Sequence, residues 1–237
     1  MKTVLFRLSA DHGHFKKPWT SNSPQTYLVP PKPAMLGMCA AMAGINRDVF
    51  KNELEQYCKG LSYGLMLRSP LKKKVISTHQ LNLDNFHSSK LGKKESPITS
   101  PKPSEYIVEF DADVVIILND DRNAEAKRLF DDLLEAMTSG CYAFEPTMGH
   151  VNCFASAEFI QEGVSSRGSG AFQTNGFTLS PPKNDIDVLV EKLPIMRKAG
   201  MPFFDIMHKD VYLSEMGGML SSEGEHVRFN DVDFCVV

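Results

Sequence analysis

The run Thr3-Val4-Leu5-Phe6-Arg7-Leu8 decides the reading, together with the stretches His12-Gly13-His14-Phe15-Lys16-Lys17-Pro18-Trp19-Thr20 and Pro30-Pro31-Lys32-Pro33-Ala34-Met35-Leu36-Gly37. Residues 3–9 combine β-formers and apolar side chains with Arg7 turned outward, the pattern of a buried strand. Pro33 suits a first helical turn, where its missing N–H would have no partner anyway, so a helix is predicted over Pro33–Gly44. Between strand and helix runs a loop from Ser9 to Lys32 with three lysines, two histidines, a tryptophan and a tyrosine. A loop of that length inside a compact domain is uncommon without a job. Cations and π-faces gathered before a helix N-terminus suit a phosphate chain with bases to stack.

Outward from this stretch, Asp48 is a candidate cap for a second helix, with Val49, Phe50, Leu54 and Tyr57 at helical spacing. Leu61–Leu67 reads as a strand. From Ser69 to Pro103 the text turns basic and proline-rich: Lys72-Lys73-Lys74 begins one arm of a ribbon, and Lys90, Lys93 and Lys94 lie further on. Such an excursion is either a disordered insert or a finger that orders on a partner. The core resumes with Tyr106, Val108 and Phe110, then the central-strand run Val114–Leu118. Asn119 or Asp120 is the expected cap of a helix carrying Ala126, Leu129, Phe130, Leu133, Leu134 and Met137, with Gly140 as its stop. A fourth strand is expected within Tyr142–Ala155. After it come a Gly/Ser loop over Val164–Gly170, strands near Phe172–Leu179, an undecided segment 186–198, and β-rich stretches at Asp210–Leu213, His226–Phe229 and Phe234–Val237.

This order predicts an α+β protein: a ferredoxin-like (RRM-type) βαββαβ domain over residues 1–155, with a basic β-hairpin inserted at about 69–103, and a small β-rich region over 156–237. Charge supports a polyanion partner. The net charge is −3, yet residues 1–102 carry sixteen Lys/Arg against six Asp/Glu, while residues 103–237 carry ten against 23. A split of that size places the partner on the N-terminal half, although a solvated lysine face explains any single basic run. The absence of an 18-residue apolar run and of a basic-then-apolar leader argues for a cytoplasmic protein with no membrane partner. Five scattered cysteines without a C-x-x-C pair read as reduced thiols, not as a disulfide or zinc framework.

Other motifs are weaker. Ser165–Gly170 lacks the G-x-x-x-x-G-K-[ST] pattern of a phosphate loop and reads as a surface loop. The pairs Asp111/Asp113, Asp120/Asp121 and Asp131/Asp132 lack a cation-loop pattern, so neither metal nor cofactor is expected. His12, His14, Lys16 and Tyr27 have the side chains for metal-free RNA cleavage, activating a 2′-hydroxyl and protonating the leaving oxygen. The same residues bind RNA equally well without cutting it.

The pattern F-R … G-H-F-K-K-P-W-T-S … Y-L-V-P-P … A-M-L-G-M-C-A-A-M-A-G-I, from Phe6 to Ile45, resembles the N-terminal signature of the Cas5 family. These are subunits of type I CRISPR Cascade complexes within the repeat-associated RNA-binding superfamily. The resemblance implies a non-catalytic subunit for antiviral defence that caps the 5′ handle of the CRISPR RNA (crRNA). It implies contacts with the Cascade backbone and large subunits, and with target DNA indirectly through the complex. It places a thumb hairpin where the basic excursion lies. The RNA contacts expected are then His14, Phe15, Lys16, Lys17, Trp19, Thr20, Ser21, Tyr27 and Lys32, backbone groups of Met35, Leu36 and Gly37, and thumb lysines Lys72, Lys73, Lys74, Lys90, Lys93 and Lys94. Some relatives process precursor crRNA with a tyrosine and a Lys-His pair. This chain has only the reverse order, His208-Lys209, so a metal-independent endoribonuclease stands as the alternative reading.

Overall fold

The first strand, β1 (Lys2–Gly13), runs well past the expected Ser9, so the first part of what reads as loop is sheet. The computed structural model describes residues 1–20, 24–81, 99–197 and 206–237. Helices α1 (Lys32–Met42) and α2 (Arg47–Gly60) come next, then β2 (Leu61–Leu67), β3 (Lys72–Leu81) and β4 (Thr99–Leu118). Helix α3 (Ala124–Ser139) and strands β5 (Ser156–Val164), β6 (Ser166–Thr174), β7 (Phe177–Thr178), β8 (Val188–Arg197), β9 (Ile206–Ser214), β10 (Leu220–Phe229) and β11 (Val232–Phe234) complete the order.

Among the described residues every strand pairing is antiparallel, in three sheets. The main sheet has the order β2-β4-β1-β5, with β3 alongside β4. The second is β11-β10-β6 and the third β7-β9-β8. The main sheet is covered on both faces. Val4, Phe6, Leu8, Val114, Ile116 and Leu118 join the core shared with the helices. Val115 and Ile117, alternating with them, pack with Val227, Phe229 and Phe234 of the second sheet. This two-sided burial is why Val114–Leu118 reads as a continuous apolar run.

Several expectations need correction. The strand placed in Tyr142–Ala155 is β5, at Ser156–Val164, paired with β1. Tyr142–Ala155 is irregular, and Thr147 bridges Phe154. The Gly/Ser stretch is not a loop: Ser166–Thr174 forms β6 and pairs with β10 over nine residues. Segment 186–198 contains β8. Asn46, not Asp48, caps α2 by accepting the Asp48 N–H, and Asn123, not Asn119 or Asp120, caps α3 by accepting that of Ala126. Gly140 does end α3 in the left-handed region, at φ 67°. Gly37 lets α1 pack closely on α2: a Cβ there would lie 3.4 Å from the Phe50 ring.

The basic excursion begins and ends as one antiparallel ribbon, Lys72↔Val108 through Leu81↔Thr99. Pro101 and Pro103 do not break it. Glu105, of the same parity, sends its N–H away from β3 to the Pro24 carbonyl at 2.9 Å. The proline nitrogens face that same side, where β4 has no strand partner among the described residues.

Candidate nucleic-acid interface

Beyond β1 the chain folds back on itself. The Tyr27 N–H donates to the Phe15 carbonyl at 3.1 Å and the Lys17 N–H to the Gln25 carbonyl at 2.9 Å, with a bridge between Lys16 and Thr26. The Phe15 N–H donates to Thr26 Oγ1 at 2.9 Å. Glu105 fastens this hairpin-like loop to the root of the ribbon. Its carboxylate accepts the Thr26 N–H at 3.0 Å and Lys73 Nζ at 3.1 Å, and its carbonyl accepts the His14 Nδ1–H at 2.7 Å.

These elements enclose an open groove of about 550 Å³. One wall is the loop, with His14, Phe15, Lys16 and Tyr27. Another is the start of α1, with Pro31, Pro33 and Ala34. The ribbon root contributes Lys102, Ser104 and Tyr106, and Gly149 and His150 close one side. Aromatic rings run along it: His14 lies 5.3 Å from Tyr106, and Trp19, 60 % exposed, lies edge-on to Tyr27 at 6.1 Å. Gly149, at φ 81°, sits so close to the His14 carbonyl and the Phe15 ring that a Cβ would collide with both. Only glycine lets the chain pass there.

The Tyr27 hydroxyl is buried and has no hydrogen-bond partner among the described residues. Burial, with Glu191 nearby, pushes its pKa up to about 12. A buried hydroxyl left unpaired carries a desolvation cost that no described residue offsets.

The structure thus brings His14, Phe15, Lys16 and Tyr27 into one groove and leaves Trp19 exposed beside it. It gives other expected contacts different work. Lys17 points away and pairs with Glu191 at 2.6 Å. Thr20 accepts the Gln25 N–H and donates to the Lys17 carbonyl, bracing the loop. Lys32 is 6 % exposed, and burial lowers its pKa to about 8, with the charge of Lys209 adding to the effect. Met35 and Leu36 have fully buried side chains, and their amides, like that of Gly37, lie within α1, the Met35 N–H donating to the Pro31 carbonyl. Prolines 30, 31 and 33 have no N–H to offer, so the start of α1 is poor in anion donors. Lys72 pairs with Glu109 at 2.6 Å and Lys73 with Glu105, whereas Lys74 is exposed without an ion-pair partner among the described residues. Ser21, Lys90, Lys93 and Lys94 lie outside the described residues.

Sequence reasoning missed Lys102, Ser104, Tyr106 and His150. Tyr106 reads as one more apolar strand residue, and only the pairing of β4 with both β1 and β3 turns it toward His14. Among the described residues no three His, Cys, Asp or Glu side chains gather as a metal site, and no helix is long and apolar enough to cross a membrane.

The fold and groove together define a class: a mixed α/β protein of antiparallel sheets and three described helices, with basic and aromatic side chains gathered beside its longest strand. Residues 3–203 match the Cas5d family, described as CRISPR-associated protein (Cas_Cas5), and the chain belongs to that family. No curated protein sequence matches it. Solved structures that share the fold include two CRISPR proteins. A CRISPR protein from Archaeoglobus fulgidus is 12 % identical with a TM-score of 0.54, over 100 % of this chain and 99 % of that one. A chain of a CRISPR RNA-guided surveillance complex is 13 % identical with a TM-score of 0.53, over 98 % and 91 %.

Proposed function

We propose that this protein is a crRNA-binding subunit of a type I CRISPR Cascade complex and holds the 5′ handle of the crRNA in the groove between loop, ribbon and α1. The observation that carries the reading is the groove itself: Lys16 and Lys102, with imidazole and phenol rings, line one channel. Lysines neutralise phosphates while rings accept unstacked bases, the combination that single-stranded RNA recognition uses. The unpartnered Tyr27 hydroxyl supplies a donor for a phosphate or a 2′-hydroxyl. The solved surveillance complex of similar fold is RNA-guided by its description, which supports RNA and neighbouring Cascade subunits as partners.

In this reading residues 1–164 form a ferredoxin-like domain, since the order β2-β4-β1-β5 is that of a split βαβ pair with its fourth strand outside. The unit extends past 155 because β5 belongs to the main sheet. The β3–β4 ribbon is the thumb, the strands after β5 form the β-rich region, and the protein works in the cytoplasm.

The test is the double variant Lys16→Ala/Lys102→Ala with a labelled single-stranded repeat RNA. The expected outcome is weaker binding and a log K versus log salt slope shallower by about 1.4, from two lost phosphate contacts at about 0.7 each. Unchanged affinity and slope reject the assignment. Endonucleolytic processing of precursor crRNA is the second reading, favoured by one detail. His14 spends Nδ1 on the Glu105 carbonyl, leaving Nε2 as its other proton-exchanging nitrogen, and His150 lines the same groove. Cutting of repeat RNA in EDTA, abolished in both His14→Ala and His150→Ala, would establish it.

A further inference from the structure

Glu191 is a buried carboxylate on β8, an edge strand of the third sheet, and it grips the RNA loop at both ends. One carboxylate oxygen takes Lys17 Nζ at 2.6 Å; the other accepts the Leu28 N–H at 2.9 Å. Both charged side chains are largely hidden from solvent, 15 % and 6 % exposed. Taking a carboxylate out of water costs several kcal/mol, and here two partners offset it. The same ammonium lies 5.5 Å from the centre of the Tyr27 ring. Lys16 and Lys17 are neighbours in an extended segment, so their side chains leave on opposite faces. Lys16 reaches the groove, whereas Lys17 reaches the third sheet.

We propose that Glu191 is a positioning residue for RNA binding. By taking Lys17 as its counter-ion it holds the loop against the third sheet and sets how many loop cations remain for RNA. The proposal rests on the RNA reading of the groove. It assigns the adjacent lysines different roles: Lys16 meets phosphate and Lys17 is neutralised internally. The β-rich part of the chain then acts on RNA binding through the loop it clamps.

The test compares Glu191→Gln, Lys17→Met and their combination. Gln keeps an acceptor for the Leu28 N–H and removes only the charge. The first readout needs no RNA: Trp19 is the one tryptophan of the chain and sits in the clamped loop, so its emission reports the loop. Both single variants should shift that emission, and the double variant should add little to either. Unchanged emission in both singles overturns the proposal, whatever happens to the RNA reading. The second readout is the salt dependence of binding to the labelled repeat RNA. Freed from its partner, Lys17 should steepen the slope by about 0.7 in Glu191→Gln, and the added Lys17→Met should remove that gain. A clamp with a purely structural role would loosen the loop without steepening the slope, so an unchanged slope beside intact wild-type binding also overturns the proposal. Where Glu191→Gln does not fold, Lys17→Met and Glu191→Asp carry the emission comparison. Failure of the wild-type chain to bind the RNA would count against the proposed function alone, because the emission arm still decides the clamp.

Discussion

At Tyr27 and Lys32 the protein leaves polar groups where a stability-optimised core would not. The Tyr27 hydroxyl has no partner among the described residues, so Tyr27→Phe removes nothing the folded chain uses. Its melting temperature should match or slightly exceed wild type, while RNA affinity falls about 5- to 15-fold, the worth of one hydrogen bond of about 1–1.5 kcal/mol. A fall in stability with unchanged affinity would contradict the role given to that hydroxyl. Lys32 enters the fold at a cost to its charge, with a pKa of about 8 against 10.5 when exposed. Between these two values the unfolded chain holds more protons than the folded one, so stability rises with pH across that window. The penalty is fully present below about pH 8, and a shift of this size is of the order of 3 kcal/mol. Lys32→Met should therefore be more stable than wild type at pH 7, with the difference narrowing toward pH 10. Paired urea titrations at the two pH values check this.

Among elements, the β3–β4 ribbon shows how one basic run divides. Lys73 bonds Glu105 and the Thr26 carbonyl, tying ribbon to loop, while Lys74 stands out in solvent. Lys73→Ala should lower the melting temperature and loosen the loop. Lys74→Ala should leave melting unchanged and reduce RNA affinity by a few-fold, with a shallower salt slope. Equal effects of the two variants on melting would sink this division. The run Lys72–Lys74 was legible as one arm of a ribbon, because the β-formers Val75 and Ile76 continue it. Which lysine is structural was not, because that depends on which side chain meets Glu105 across the strands.

For the whole molecule, the decisive contact is between sheets. Phe229, from β10, covers Val115 and Ile117 on the face of the main sheet opposite the helices. Phe229→Ala should cost about 3–5 kcal/mol, a large share of the 5–15 kcal/mol typical of a domain. Because Phe177, Leu193, Val211 and Leu213 share the core of β1 and the helices, unfolding should remain a single transition in that variant. A separate early transition for the strands after Val164, seen by calorimetry, would show two independent units instead. The division expected at residue 155 came from placing the fourth strand within Tyr142–Ala155. Local pattern cannot reveal that the strand pairing with β1 is the next one, Ser156–Val164.

Local chemistry determined the strand at Thr3–Leu8, the helices and the stop at Gly140, because propensity, spacing and backbone freedom act over a few residues. It also gathered cations and rings before α1. Tertiary structure decided which of them face the groove: Lys16 in, Lys17 out to Glu191, Lys32 buried, and Tyr106 and Lys102 brought in from β4. The reason is physical. A side chain's role depends on what lies across from it, and here those partners stand tens of residues away or more, brought to the loop by strand pairing and by side-chain bonds between elements.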